Sequence, residues 1–165
     1  MDEVSFGLLR LDEAEALVAL AGLVWRRHYP GIIPAGQIEY MLAQRYKPGL
    51  VRQLLARGDL WLAARAGESL VGFAHGHPLA PGDYKLDKLY VHPDLQRHGI
   101  GGRLIQEVAR HARGQGCTRL VLRVNRHNHT AIQAYLKHGF SVADIIVEDI
   151  GNGYYMDDYI MVKGL

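Results

Sequence analysis
A chain of 165 residues with 48% hydrophobic and 22% charged side chains has the size and balance of one folded domain, not of a disordered or membrane-spanning polypeptide. Nineteen basic against 17 acidic residues leave a net charge of +2, too little surplus for a protein that coats polyanions, and no nucleic-acid partner is expected. The single cysteine, Cys117, excludes an internal disulfide.

The apolar stretch from Ala14 to Trp25 follows acids instead of a basic head, carries Glu15, and is too short to span a bilayer, so it reads as a helix of a cytoplasmic protein. Asp12 and Glu15 resemble a capping box, Leu17, Leu20 and Val24 keep helical spacing, and the helix ends near Tyr29-Pro30-Gly31. Pro34 suits the first turn of a second helix carrying Ile38, Met41 and Leu42. Pro48 opens a third, closed by Gly58. The period then shortens. Leu60 to Arg65 and Leu70 to His75 read as a hairpin about Ala66-Gly67-Glu68-Ser69, and Lys85 to Val91 as a third strand. An amphipathic helix from Ile100 to Arg113 places Leu104, Ile105, Val108, Ala109 and Ala112 on one face. A strand from Arg119 to Val124, a helix from Thr130 to Lys137 and two strands broken by Gly151-Asn152-Gly153 complete the chain. The order predicts one α/β (α+β) domain over residues 1–165, without repeats or linkers.

Glycine is the skewed count, 19 residues, and it concentrates where chemistry is expected. In Val91-His92-Pro93-Asp94-Leu95-Gln96-Arg97-His98-Gly99-Ile100-Gly101-Gly102-Arg103, a strand turns into a helix through a glycine cluster. The first-turn amides of a helix have no internal partners and sit at the positive end of its dipole. Glycines let a phosphate reach them, and Arg97 and Arg103 add counter-charge. The dinucleotide fingerprint fails, because Leu104 occupies its third glycine position. A Walker loop fails for want of Gly-Lys-Ser/Thr. What remains is Q-x-x-G-x-G at Gln96, Gly99 and Gly101, followed by Asn128, Ala131, Tyr135 and Gly139-Phe140.

These two segments, in this order, resemble the GNAT superfamily of acyl-CoA N-acyltransferases. The resemblance implies a mixed, mostly antiparallel sheet flanked by helices, in which two splayed strands form the CoA cleft. It implies acetyl-CoA as co-substrate and transfer to a primary amine. Leu89, Tyr90 and Val91 would offer backbone groups to the pantetheine arm. Gln96, Arg97, His98, Gly99, Ile100, Gly101 and Gly102 would cradle the pyrophosphate. Asn128 would bond the arm from the other side, and Tyr135 would sit by the sulfur as proton donor. On the residues alone, Asn128 is equally a helix cap and Tyr135 a core aromatic.

One departure stands out. Where many members of the family carry a glutamate base, this chain has Lys85. Asp87, two residues on and on the same strand face, is the replacement candidate, with His28, His75, His77 and the Asp157-Asp158 pair as rivals. Asp87 reads equally as a strand residue salt-bridged to Lys85 and Lys88. The helical opening and the tail are similar to a bacterial branch that includes polyamine acetyltransferases, so a polyamine or another small cationic amine is the expected acceptor, met by Asp87, Asp157 and Asp158. A protein amine and a homodimer stay open. The competing functions are a CoA-binding module that lost its base, and a metal-dependent hydrolase using His75/His77 or His127/His129. No metal is expected, since neither H-x-H pair has further ligands at hydrolase spacing.

Overall fold
The alternation of apolar residues from Leu60 onward builds the centre of the molecule. In the computed structural model, which describes residues 3–165, strand β2 (Leu60–Ala66) pairs antiparallel with β3 (Ser69–Ala80), and β3 with β4 (Asp83–Val91). Strands β5 (Arg119–Asn125), β6 (Ser141–Gly151) and β7 (Tyr154–Gly164) complete the other half, and β1 (Val4–Leu8) joins the edge beside β2. The seven strands run β1-β2-β3-β4-β5-β7-β6, antiparallel throughout except where β4 meets β5. The mixed, mostly antiparallel sheet that the family resemblance implies is thus present.

Helices α1 (Ala14–His28), α2 (Ala35–Arg45) and α3 (Pro48–Ala56) cover one face. They bury Leu17, Val24, Met41 and Val51 with Trp61, Ala63 and Phe73 of the sheet. Helices α4 (Ile100–Gly114) and α5 (His129–Lys137) cover the other, where the predicted stripe Leu104, Ile105, Val108, Ala109 and Ala112 is fully buried against Leu62, Leu86 and Leu122. Alternate residues of each strand serve opposite cores, as the two-residue strand period requires.

Three local expectations are corrected. Strand β1 was not anticipated. The helix opening is capped by Glu13 instead of the Asp12/Glu15 pair: Arg10 N–H donates to Glu13 Oε1 (2.8 Å), and Arg65 holds the same carboxylate at 2.6 Å. Strand β3 continues past His75 to Ala80, because Pro78 falls at a register shift, where a missing N–H costs no ladder bond. No helix is long and apolar enough to cross a membrane among the described residues.

Candidate active site
Strands β4 and β5 share only three rungs, Asp83–Arg119, Tyr84–Leu120 and Lys85–Val121, and then part. Beyond Lys85 the edge of β4 that faces β5 has no strand partner, so the peptide groups of Leu89, Tyr90 and Val91 border a gap. The gap opens into a cleft of about 910 Å³ that passes through the sheet from the α4–α5 side to the α1–α2 side.

The glycine loop stands at one end. Gly99 caps α4 in the left-handed conformation (φ 81°), and a methyl group built on it would meet nothing within 4 Å. Arg97 is also left-handed (φ 66°), an uncommon state for a residue other than glycine and one that turns the backbone sharply ahead of the helix. The amides of Gly99, Ile100, Gly101 and Gly102 stand at the helix start, where a helix leaves its N–H groups without an internal partner, and all four residues line the cleft. A methyl on Gly101 would come no nearer than 3.9 Å to Val91, whereas one on Gly102 would strike the His138 ring at 2.6 Å. The Ile100 side chain is buried in the core, which leaves its amide as the polar group it has at this end of the cleft. Gln96 turns inward: its Nε2 donates to Val91 O (3.2 Å) and ties the loop to the end of β4. His98 Nδ1 lies 3.0 Å from Gln96 O, bracing the same turn. The splayed edge, the row of free amides and the empty space before Gly99 fit the elongated diphosphate-bearing co-substrate implied by the family resemblance.

Asn128 and Tyr135 line the same cleft from α5. Asn128 is buried and is the helix cap, its Oδ1 accepting from Ala131 N–H (3.4 Å) and lying 2.8 Å from His28 Nε2. With Oδ1 so engaged, the side-chain NH2 is the group left for a ligand. The Tyr135 ring packs edge-on against Phe140 at 5.6 Å, and burial, followed by the neighbouring Tyr29, pushes its hydroxyl well above the usual phenol range. On the opposite wall the hydroxyls of Tyr29 and Tyr90 meet at 3.1 Å.

Asp87, the candidate base, is held differently from what a base requires. His75 pairs with Lys88 and Gly76 with Leu86, so Asp87 is the extra residue of a β-bulge, and the bulge turns Asp87 and Lys88 toward the same face. Its carboxylate receives Lys88 Nζ (2.5 Å), Lys85 Nζ (3.2 Å) and His75 Nδ1 (3.1 Å). Burial raises its pKa, but the His75 hydrogen bond and the two lysines outweigh this and hold it far below the carboxylate range. Such a carboxylate is a poor proton acceptor. His75 is itself fixed, stacked on Trp61 at 4.1 Å with Nε2 2.6 Å from Asp59, so both ring nitrogens face carboxylates. His77 Nδ1 lies 2.9 Å from Pro78 O, with its ring 5.6 Å from that of His75, and the His127 and His129 rings are 6.5 Å apart and nearly perpendicular.

Asp158 is the contrasting acid. It is 3% exposed, lines the cleft from β7, and is bonded through Oδ2 to Arg123 Nε (3.1 Å). Burial outweighs that guanidinium and raises its pKa above the ordinary value. Asp157, its neighbour, points elsewhere and pairs with Arg126 (2.8 Å). Sequence reasoning named neither Arg45 nor Arg123 as a cleft residue; nothing in their spacing distinguishes them from surface cations.

The chain matches the Acetyltransferase (GNAT) family over residues 13–140. It is 28% identical over 141 residues to a spermidine N(1)-acetyltransferase of Thermoplasma acidophilum, covering 82% of this chain and 87% of that protein. It is 30% identical over 149 residues to the peptidyl-lysine N-acetyltransferase YjaB of Salmonella typhimurium, covering 88% and 89%. The fold superposes on PaiA N-acetyltransferase of Thermoplasma acidophilum in complex with coenzyme A, with a TM-score of 0.87, 26% identity and 99% of each chain covered. With the splayed strands and the amide-lined helix start already in place, these likenesses have one reading: the chain belongs to the GNAT family and is an acetyl-CoA-dependent N-acetyltransferase.

Proposed function
We propose that this protein transfers an acetyl group directly from acetyl-CoA to a primary amine, with Asp158 as the proton acceptor. The observation that carries this reading is one continuous cleft with free α4 amides at one end and a buried carboxylate of raised pKa at the other. Acetyl-CoA supplies the thioester; everything else is done by the chain. The amides of Gly99 to Gly102 bind the diphosphate, assisted by Arg97. The open edge of β4 and the Asn128 amide hold the arm straight, and an N–H near Leu89 or Tyr90 donates to the carbonyl oxygen as negative charge grows there.

Amine deprotonation is the first demand. A lysine-like ammonium with pKa ~10.4 costs about 4.6 kcal/mol to deprotonate at pH 7. Asp158, desolvated and more basic than an ordinary carboxylate, takes that proton, frees the nitrogen lone pair and releases the proton to solvent. As the N–C bond forms and the C–S bond breaks, the second proton leaves nitrogen and the departing thiolate takes it up as free CoA thiol. Asp87 is assigned a positioning role, because its three cationic neighbours leave it little basicity. The Tyr135 hydroxyl faces the departing sulfur. Since burial makes it a weaker acid, it stabilises the thiolate by hydrogen bonding more than by full proton transfer. Tyr135→Phe is accordingly expected to lower kcat by about tenfold, the effect of one charge-assisted hydrogen bond, with little change in the KM for acetyl-CoA. A loss beyond about a thousandfold would instead make the phenol an obligatory acid.

The reading is tested by mixing purified protein with acetyl-CoA and a panel of amines and following free thiol. Amine-dependent thiol release is the expected result. CoA binding without release from any amine would favour a binding module over an enzyme.

A further inference from the structure
The acceptor end of the cleft carries more positive charge than an amine needs. Lys85 and Lys88 from β4, Arg45 from α2 and Arg123 from β5 line it, against Asp87 and Asp158 as the acids of the lining. Asp87 is shared by both lysines. Arg123 has Asp158 on Nε and Glu148 on Nη1, but its Nη2 is buried without a hydrogen-bond partner among the described residues. Arg45 has no carboxylate within ion-pair distance among the described residues; its guanidinium donates to the Met156 sulfur at 2.9 Å.

These groups converge. Met156 and Asp158 are alternate residues of β7, on the same face of the sheet as Arg123 of the adjoining β5. The charges of Arg45 and Arg123 are both felt at Asp158 and at Glu148. A polycation entering here would meet Arg45, which no carboxylate pairs among the described residues, while the acids expected from the sequence to receive it are already paired with Lys85, Lys88, Arg123 and Arg126. Two donors with unmet valence, Arg45 and Arg123 Nη2, ask for an oxyanion.

We propose that the acceptor is a small amine that also bears a compact anion, a carboxylate or a phosphate, bound by the Arg45 guanidinium and Arg123 Nη2 while its amine is presented to Asp158. This rests on the amine-transfer reading above and narrows its substrate class. The amine and its anion are recognised by groups of opposite sign, so orientation is fixed before reaction, and uncharged or polycationic amines lose the second contact.

The test uses matched pairs that differ in the anion: lysine against cadaverine, and O-phosphoethanolamine against ethanolamine. Each is titrated calorimetrically into the CoA-loaded protein and assayed as an acceptor. One anionic member should bind about 10- to 100-fold more tightly than its partner. The pair with the larger ratio identifies the anion. In Arg45→Ala the ratio should fall toward unity, and Arg45→Lys should restore part of it. Cadaverine or ethanolamine binding as well as its anionic counterpart overturns the proposal, as does a ratio that survives in Arg45→Ala. Anion-selective binding with no acetylation of any amine would sustain this site and overturn the transfer reading instead.

Discussion

Gly101→Leu is expected to bind CoA at least about 100-fold more weakly than the unsubstituted protein while melting at the same temperature or higher. The two halves of this result separate a binding role from a folding one. Gly101 is the second residue of α4 and has ordinary helical torsion, so a leucine there meets no backbone penalty and gains helix propensity. A Cβ at this position finds no atom closer than Val91 at 3.9 Å, so nothing in the free protein resists it. Gly101 lines the cleft, so the added side chain takes up cleft space beside the amides. A diphosphate displaced from one or two charge-assisted hydrogen bonds, each worth about 1.5–3 kcal/mol, accounts for the factor. Calorimetric titration of CoA reads the affinity, and a thermal melt without ligand reads the fold. CoA affinity within about threefold of the original would place the diphosphate elsewhere. Gly99→Leu is a poorer test, since its φ of 81° strains any side chain and confounds the two readouts.

The loop was legible from sequence because its chemistry is local: a helix start, its glycines and its flanking cations are contiguous. The amphipathic stripe of α4 was legible for the same reason. What could not be read is what the sheet brings together. Asp87 obeys a simple alternation with Lys85, yet a bulge opposite His75 and Gly76 shifts Lys88 onto the same face and changes a candidate base into the hub of an ion cluster. Asp59 and His75 complete that cluster from β2's entry and from β3, 16 residues apart. Arg45, Arg123 and Asp158 come from α2, β5 and β7, and only the tertiary fold makes them neighbours. Strand β1 carries the alternation Val4, Phe6, Leu8 about Ser5 and Gly7, but over five residues only, and its antiparallel partner β2 lies more than 50 residues further on.

Asp158→Asn should lower kcat/KM for the amine by about 10²- to 10⁴-fold, the usual contribution of a positioned base, and leave CoA affinity unaltered. The pH dependence gives the sharper discrimination. The carboxylate works only when ionised, so activity rises with pH through its raised pKa, and this limb should vanish in the asparagine variant while the limb set by the amine itself persists. Stability should move the other way. The folded pKa lies above the unfolded one, so between them the folded state holds more protons, and the carboxylate subtracts stability as pH rises through that window. At pH 7 the asparagine removes a desolvation cost, and Arg123 keeps its Glu148 partner at 2.9 Å, so the variant should melt no lower than the original. Asp87→Asn provides the contrast: it strips the shared counter-ion from Lys85 and Lys88 and should act on acceptor KM and stability, leaving the acid limb in place. A missing acid limb in Asp87→Asn, together with a normal one in Asp158→Asn, would reverse the assignment. The proposed division of anchor from base thus turns on the acidity of the two carboxylates, set apart by what each is packed against.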